Sequence, residues 1–453
     1  MKLSPTLLFL LLPVIAYTQT DDYKLDSYIN PDYNRKELNF NFGASTQLSS
    51  NKSKSEVSGI ELFNYEAKRK SFSSDLNTRF YQIVNSVKKQ TTTNLYLNIL
   101  GNYLNDNNGI IKNKDFGLNI NFHQLGYYYV KDKKFIEFSP NGNFYYNTSR
   151  RNNFVPWASS IIKEMYNNTN ASLSFKLGVG KGRIEQVEDA YLAMYILSDL
   201  KNNGSLKKVL SPDEVNMLAQ QITSTKNKRR FDSRVKLIEE ISTVDSFLIA
   251  NGYTDSEKTV PFFTSLYDNW LYAGLFERAT GSRFSVGVSP SYSWSHNKEI
   301  TIPAYNDNNR YYSETSMSVY MSYRYEKPVN LYLQHSVYTD ISGMWRKTRN
   351  ENEGSIGPSA SGQYSFGYYP NTRTHIRSSC FLNYYSIHNE YYDNYFLRSG
   401  LMLDLYYYIS PQLRLSADSG LTYYSNKAKQ QNQTSTNKYP DLSFNIGLQY
   451  SIF

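Results

Sequence analysis

The dominant signal along this chain is an every-other-residue rhythm. From Phe284 the apolar series Phe284, Val286, Val288, Pro290, Tyr292 and Trp294 is interleaved with Ser285, Gly287, Ser289, Ser291 and Ser293. Met317, Val319, Met321, Tyr323 and Tyr325 alternate with Ser316, Ser318, Tyr320, Ser322 and Arg324. Leu413, Leu415, Ala417, Leu421 and Tyr423 alternate with Arg414, Ser416, Asp418, Gly420 and Thr422. The same rhythm runs through 38–42, 95–103, 116–122, 173–179, 329–341, 356–368, 376–384, 397–405 and 442–452. Successive side chains of a strand point to opposite faces, so each segment has one apolar face and one that is small, polar or charged.

A soluble β-sandwich would also alternate. Two features favour a transmembrane antiparallel β-barrel. Many of the segments run for ten residues or more, enough to cross a bilayer when tilted, whereas soluble strands average about 5–6 residues. The connections also alternate in length. Glu326-Lys327-Pro328, Pro370-Asn371-Thr372 and Ser410-Pro411-Gln412 read as tight turns, and 297–309, 347–353 and 426–438 as polar loops between them. That is the short-periplasmic, long-extracellular asymmetry of outer-membrane barrels.

Counting back from the C-terminus gives strands near 439–453, 413–425, 393–408, 373–388, 354–369, 329–346, 310–325 and 281–296. Upstream lie 169–180, 134–148, 113–130, 92–104, 72–85, 57–68 and 36–48. Single-chain bacterial barrels prefer even numbers, so one of the first three is a miscount and the expectation is 14 or 16 strands. The chain ends on Phe453. A terminal aromatic resembles the signal read by the barrel-assembly machinery, although Phe453 is out of phase with Leu448, Tyr450 and Ile452 unless a bulge absorbs one residue.

Between Gly182 and Gly281 the period changes to that of a helix. Val187, Ala190, Tyr191, Met194, Leu197 and Leu200 share one face, behind the acidic Glu185, Glu188 and Asp189, which complement a helix dipole. Ser211-Pro212-Asp213-Glu214 is a helix start, with a capping hydroxyl, Pro in the first turn and acids behind it. A third helix is expected over about 232–250 with Gly252 as its cap, and a fourth over about 262–279. Strand counting puts both ends of this insert at the periplasmic side. Its stripes (Leu237, Ile241, Val244, Leu248; Leu266, Trp270, Leu275) can pack on each other, on a partner, or in the lumen.

Composition adds a compartment. Lys2, the apolar run from Leu7 to Ala16 and the small-residue site Ala16-Tyr17-Thr18 form a secretory signal, too short to span a bilayer as a helix. The divisions are a signal peptide 1–18, an N-terminal extension 19–35, barrel strands 36–182, the helical insert 183–280 and barrel strands 281–453. Mean hydropathy is −0.57, yet 16% of residues are aromatic and 43 of 453 are Tyr, more phenols than a dry core can satisfy and the type that interfacial girdles favour. Cys380 is the only Cys, which excludes an intrachain disulfide or a Cys-based metal cluster. The net charge of +9 points, in an exported protein, to outer-membrane lipid and lipopolysaccharide, and not to nucleic acid.

The segment Gly178-Val179-Gly180-Lys181-Gly182-Arg183 has neither phosphate-loop spacing. It reads as a strand-to-helix hinge carried by Gly178, Gly180, Gly182 and Arg183. Continuing through Ile184-Glu185-Gln186-Val187-Glu188-Asp189-Ala190, it resembles a segment of uncharacterised outer-membrane β-barrel proteins of Gram-negative bacteria. The resemblance spans about a dozen residues; it implies the barrel and the compartment, and no activity.

No catalytic constellation emerges. The five His (His123, His296, His335, His375, His388) are scattered without metal-ligand spacing. His335-Ser336 lacks a lipase context, and Glu390 and Asp393 beside His388 read as a solvated loop. No metal or cofactor is expected, and 19–35 carries no energy-coupling box. On the polar parity of the C-terminal strands stand Arg324, Asp340, Arg377, Arg398, Asp404, Arg414 and Asp418. An Arg on the lipid face costs about 2–4 kcal/mol at mid-depth, so these seven are expected to line the lumen. The leading expectation is a channel or porin-like conduit whose periplasmic insert gates or recruits a partner. The alternatives are a closed structural or interaction barrel serving envelope or glycan export, and thirdly a barrel hydrolase.

Overall fold

The computed structural model describes residues 23–57, 60–106, 112–155, 160–227, 237–256, 259–272, 278–302, 306–349, 354–389, 392–410, 413–430 and 433–450. The signal at 1–18, Phe453 and Leu275 lie outside them. The described residues form one antiparallel meander of 14 strands in chain order. The strands are β1 (Tyr33–Val57), β2 (Ile60–Asn85), β3 (Lys89–Asp106), β4 (Lys112–Tyr129), β5 (Lys134–Val155) and β6 (Ser160–Gln186) before the insert. After it come β7 (Ala279–Ile302), β8 (Asn306–Pro328), β9 (Leu333–Thr348), β10 (Ser355–Asn371), β11 (Thr374–His388), β12 (Tyr392–Tyr408), β13 (Leu413–Gln430) and β14 (Gln433–Tyr450). β1 and β14 are the two edges, and no ladder joins them among the described residues.

The alternation is realised as two faces. Val286, Val319, Met321, Ile341, Leu382, Leu401 and Leu403 are all exposed, on one parity of their strands. A water-soluble monomer rarely leaves so large a contiguous apolar face bare, and a bilayer is the solvent that suits it. No helix among the described residues is long and apolar enough to cross a membrane, so crossing falls to the strands.

The opposite face is polar and concave. Arg283 Nη2 on β7 donates to Gln90 Oε1 on β3 at 2.8 Å, although four strand spacings in a flat sheet would be about 19 Å. Tyr320 Oη on β8 donates to Glu137 on β5 at 3.0 Å. Such bonds require the sheet to curl until distant strands face each other. The lead-in agrees: its 3-10 turn, Leu25–Ser27, lies against β7 and β8, and the chain enters β1 six residues later.

The packed core is not in the sheet. It lies in the insert, whose helices are α1 (Glu188–Asn202), α2 (Pro212–Asn227), α3 (Leu237–Ala250) and α4 (Val260–Tyr272). Ala190, Leu192, Ile196, Leu218, Ile222, Val244, Leu248 and Leu266 are fully buried, joined by Tyr23, Leu25 and Tyr28 of the lead-in and by Leu331 and Tyr369 of the strand turns. The helices therefore pack on one another and also dock on the sheet.

Several expectations change. The strands expected at 57–68 and 72–85 are one strand, β2, and Lys68-Arg69-Lys70 is part of it, not a break. The loops expected at 297–309 and 426–438 are mostly ladder, because β7–β8 and β13–β14 continue as hairpins past any bilayer thickness. The β8–β9 turn falls after Pro328 and not upon it. α4 ends at Tyr272, short of 279, and Arg278-Ala279 already leads into β7. The hinge is also displaced. β6 stays paired with β7 through Gln186, and the chain turns only at Val187. Gly178 and Gly180 lie within the strand, where a Cβ would collide with the Tyr320 hydroxyl and the Phe135 ring. Gly182 has φ +109°, a conformation that glycine adopts without penalty. Gly178 and Gly180 make room for aromatic rings on the polar face, and Gly182 for the Ser282 carbonyl of β7; the strand continues past all three before the helix begins.

Candidate functional site

The polar face encloses a cavity of about 470 Å³ lined by residues from β4 to β11, among them Tyr127, Glu137, Lys176, Arg283, Arg324 and Arg377. Register places each on the face opposite the apolar one. Glu137 pairs with Tyr127 and Gly178, Ser322 with Asp340 and Ser285, and Arg377 with Asp404. Glu137 is 1% exposed; besides Tyr320, it has Lys176 Nζ at 3.9 Å. The same ammonium lies 3.7 Å from Asp340 and 4.0 Å from the centre of the Tyr320 ring. One lysine of β6 thus links carboxylates of β5 and β9. Buried carboxylates need such partners, since an unpaired one is strongly disfavoured in a dry interior.

All seven charges expected in the lumen stand on this concave face. Arg324 lines the cavity and bonds Glu326 at 2.9 Å. Asp340 meets Lys176. Arg377 lines the cavity and pairs with Asp404 at 3.0 Å. The other three lie further round. Arg398 is held between the rings of Phe381 and Tyr424, Arg414 donates to Gln449 at 2.6 Å beside Tyr406, and Asp418 accepts from Asn445 at 2.8 Å. Glu137, Lys176, Arg283 and Glu326 went unnoticed in sequence. The alternation of β5 to β8 carries their orientation, but not the meeting of strands three and four places apart.

The helices dock at one end of this space. The end is that of the short turns, the same as the β2–β3, β4–β5, β8–β9, β10–β11 and β12–β13 connections. Arg278, 0% exposed, fastens the closure. Its guanidinium donates to the carbonyls of Leu331, Asn330 (2.9 Å) and Leu333 (3.1 Å) and to Gln334 Oε1 (3.0 Å). The rings of Tyr191 on α1 and Tyr369 on β10 sandwich it at 4.6 and 4.7 Å. Planarity and five donors suit Arg, not Lys, to this position. Tyr195 Oη adds a bond to the Tyr369 carbonyl at 2.7 Å. Desolvation, with Tyr191 beside it, pushes the Tyr195 phenol far above its ordinary value, so it serves only as a neutral hydroxyl. On the far side Arg373 pairs with Asp268 of α4 at 2.8 Å, and Arg35 of β1 donates to Asn227 of α2 at 3.1 Å. The cap is therefore held by strands from opposite sides of the mouth.

The hydrolase residues do not converge. His335 is on the outer parity, bonded to the Tyr364 hydroxyl at 2.7 Å, while Ser336 is on the inner face, bonded to Glu326. His388 is paired with Asp393, and Glu390 lies outside the described residues. Among the described residues no group of three or more His, Cys, Asp or Glu is placed to hold a metal ion.

No family model and no curated protein matches the chain. Among solved structures, bacterial outer-membrane proteins are similar at low scores. The translocator domain of autotransporter NalP from Neisseria meningitidis is similar at TM-score 0.28 and 9% identity, covering 84% of this chain and 90% of that one. The toluene transporter TodX of P. putida gives 0.26 and 7%, covering 95% and 93%. OmpT, an outer membrane protein of Vibrio cholerae, gives 0.24 and 10%, covering 92% and 99%. The fold is that of an outer-membrane β-barrel, marked by its own apolar outer face and polar inner one.

Proposed function

We propose that this protein is an outer-membrane conduit whose periplasmic mouth is closed by its own helical insert. The observation that carries this reading is the pairing of a charged cavity with a cap pinned across it by Arg278. The inner face supplies a water-compatible path: Lys176, Arg283, Arg324 and Arg377 stand against Glu137 and Glu326 of the lining and against Asp340 and Asp404, which pair with Lys176 and Arg377, a balanced charged lining that suits water and small polar solutes. The cap supplies the obstruction, and Arg278, with four hydrogen bonds and two ring contacts, is the most heavily bonded of its attachments.

Planar-bilayer recordings test this directly. The full chain is expected to show small or rare openings, and Arg278→Met larger and more frequent ones. A large wild-type current unchanged by Arg278→Met would remove the gate and leave an open channel. A closed barrel that acts by binding a partner is the second reading. It is favoured by the bonds that cross the interior, Lys176 to Asp340 and Arg283 to Gln90. Absence of current from both wild type and variant, with both folded, would decide for it.

A further inference from the structure

Besides Lys68, five cations crowd the outer parity of β2 to β6 toward their hairpin ends: Lys70, Lys112, Lys114, Arg150 and Lys163, all exposed. Register arranges them in two rows. The upper reads Lys70, Asn105, Lys112, Asn152, Lys163 across five consecutive strands. The lower reads Phe72, Tyr103, Lys114, Arg150, Met165, with Lys114 directly opposite Arg150. Like charges in that position repel. Among the described residues no carboxylate lies within ion-pair distance of any of the five. The nearby acids Asp75, Asp115 and Glu164 belong to the inner parity, in register with Gly43, Ser149 and Arg151. Lys114 has only the Tyr103 ring, 6.0 Å away.

Within the lower row and beneath it the same face turns apolar. Phe72, Tyr103, Phe116 and Phe144 are exposed, and the Phe116 and Tyr146 rings pack at 6.4 Å. A repulsive cationic patch about 19 Å wide, bordering a lipid-facing apolar surface, calls for an external amphiphile with negative charge on top and hydrocarbon below. We propose that this patch binds a lipid of the outer leaflet bearing more than one phosphate, its phosphates between the two rows and its acyl chains along Phe72, Phe116 and Phe144. Bis-phosphorylated lipid matches the geometry because the rows offer at least two separated cation pairs, Lys114–Arg150 and Lys112–Lys163. The site is distinct from the lumen, and the inference rests on the membrane-spanning fold and on the orientation that puts the helices on the periplasmic side, so its success or failure is independent of conductance.

The test uses the full chain folded in neutral detergent, titrated with bis-phosphorylated lipid A, monophosphorylated lipid A, phosphatidylcholine and inorganic phosphate, with binding read by native mass spectrometry. The expected order is bis-phosphorylated above monophosphorylated, with phosphatidylcholine and inorganic phosphate below both. K114Q/R150Q should weaken bis-phosphorylated lipid binding about tenfold or more, and K112Q/K163Q likewise. K181Q/K327Q, at the opposite end of the strands, should leave it unchanged. Because the pair is repulsive in the free protein, K114Q/R150Q should unfold no more easily than wild type without lipid, as judged by gel mobility before and after heating. Equal binding by wild type and K112Q/K114Q/R150Q/K163Q would overturn the proposal, as would inorganic phosphate binding as tightly as the lipid.

Discussion

Asp189 is a carboxylate almost wholly removed from water, bonded to Lys226 Nζ at 2.6 Å and to the Thr223 hydroxyl at 2.6 Å. Burial opposes its charge, but the Lys226 ammonium and Thr223 outweigh that and hold the carboxyl below its ordinary value of 3.8. A carboxyl depressed on folding stabilises the fold fully above the unfolded value and loses that contribution as pH falls through the folded one. The helical cap is therefore expected to keep its stability from neutral pH down to about 4 and to lose it below, followed by helix circular dichroism and trypsin cleavage. Asp189→Ala should cost roughly 3–5 kcal/mol at neutral pH, because it strands a buried ammonium, and should flatten the acid transition. An acid profile identical to wild type would show that the pair does not govern the cap. Residues of this kind were only partly legible. Parity alone assigns Arg324, Arg377 and Arg414 to the inner face, whereas Arg278 sits between a helix and a strand, where neither period applies. Its acceptors are carbonyls more than 50 positions away, and no local pattern announces them.

At the scale of the element, strands and helices were the most readable part, and their ends the least. Helix α2 begins as its sequence demands: Ser211 N–H donates to Glu214 Oε2 at 2.8 Å, and Glu214 N–H donates back to the Ser211 hydroxyl at 3.4 Å, a reciprocal cap. The hydrogen bond from Lys208, with Ser211 adding to it, lowers the half-buried Glu214 carboxyl to about 2. Polar hairpin ends such as 297–302 look like loop because an aqueous strand no longer needs an apolar face; the ladder continues without that signal. Glycines mislead in the opposite direction. Gly180 suggests flexibility, yet it is a flat place in β6 on which the Phe135 ring rests, 2% exposed. Gly180→Ala would press its methyl against both that ring and the Phe284 carbonyl of β7, and is expected to destabilise the sheet by about 1–3 kcal/mol, lowering the temperature at which the folded band converts in heated gel samples. Conversion at the wild-type temperature would mean that the ring has another place to go.

For the whole molecule, the edges carry the remaining argument. Leu442, Phe444, Ile446 and Leu448 on β14 are 65–78% exposed and Phe40 and Phe42 on β1 are 64% and 74%, whereas Leu382 and Leu401 within the sheet are 50% and 48%. Each edge strand therefore lacks a neighbour on one side. In hydrocarbon an unpaired strand leaves backbone N–H and C=O groups unsatisfied at several kcal/mol each, a penalty no membrane protein of this length could carry. The strand number supplies the remedy: with 14 strands, the first and last run in opposite directions and can pair antiparallel, as an odd count would not allow. The curvature already present, which brings β3 to β7 and β5 to β8, turns the two edges toward each other, and the cap that binds both Arg35 on β1 and Arg373 beside β11 spans the gap. In a Cys380→Ser background, single cysteines at Asn39, Asn41 or Ser45 on β1 are to be combined with single cysteines at Asp441, Asn445 or Gln449 on β14, all on the inner parity. At least one pair, fixed by the shear of closure, should form an intramolecular disulfide in membranes but not in the urea-unfolded chain. Disulfide-linked dimers alone would place the seam between copies, and no cross-link from any combination would mean that this sheet does not close on itself.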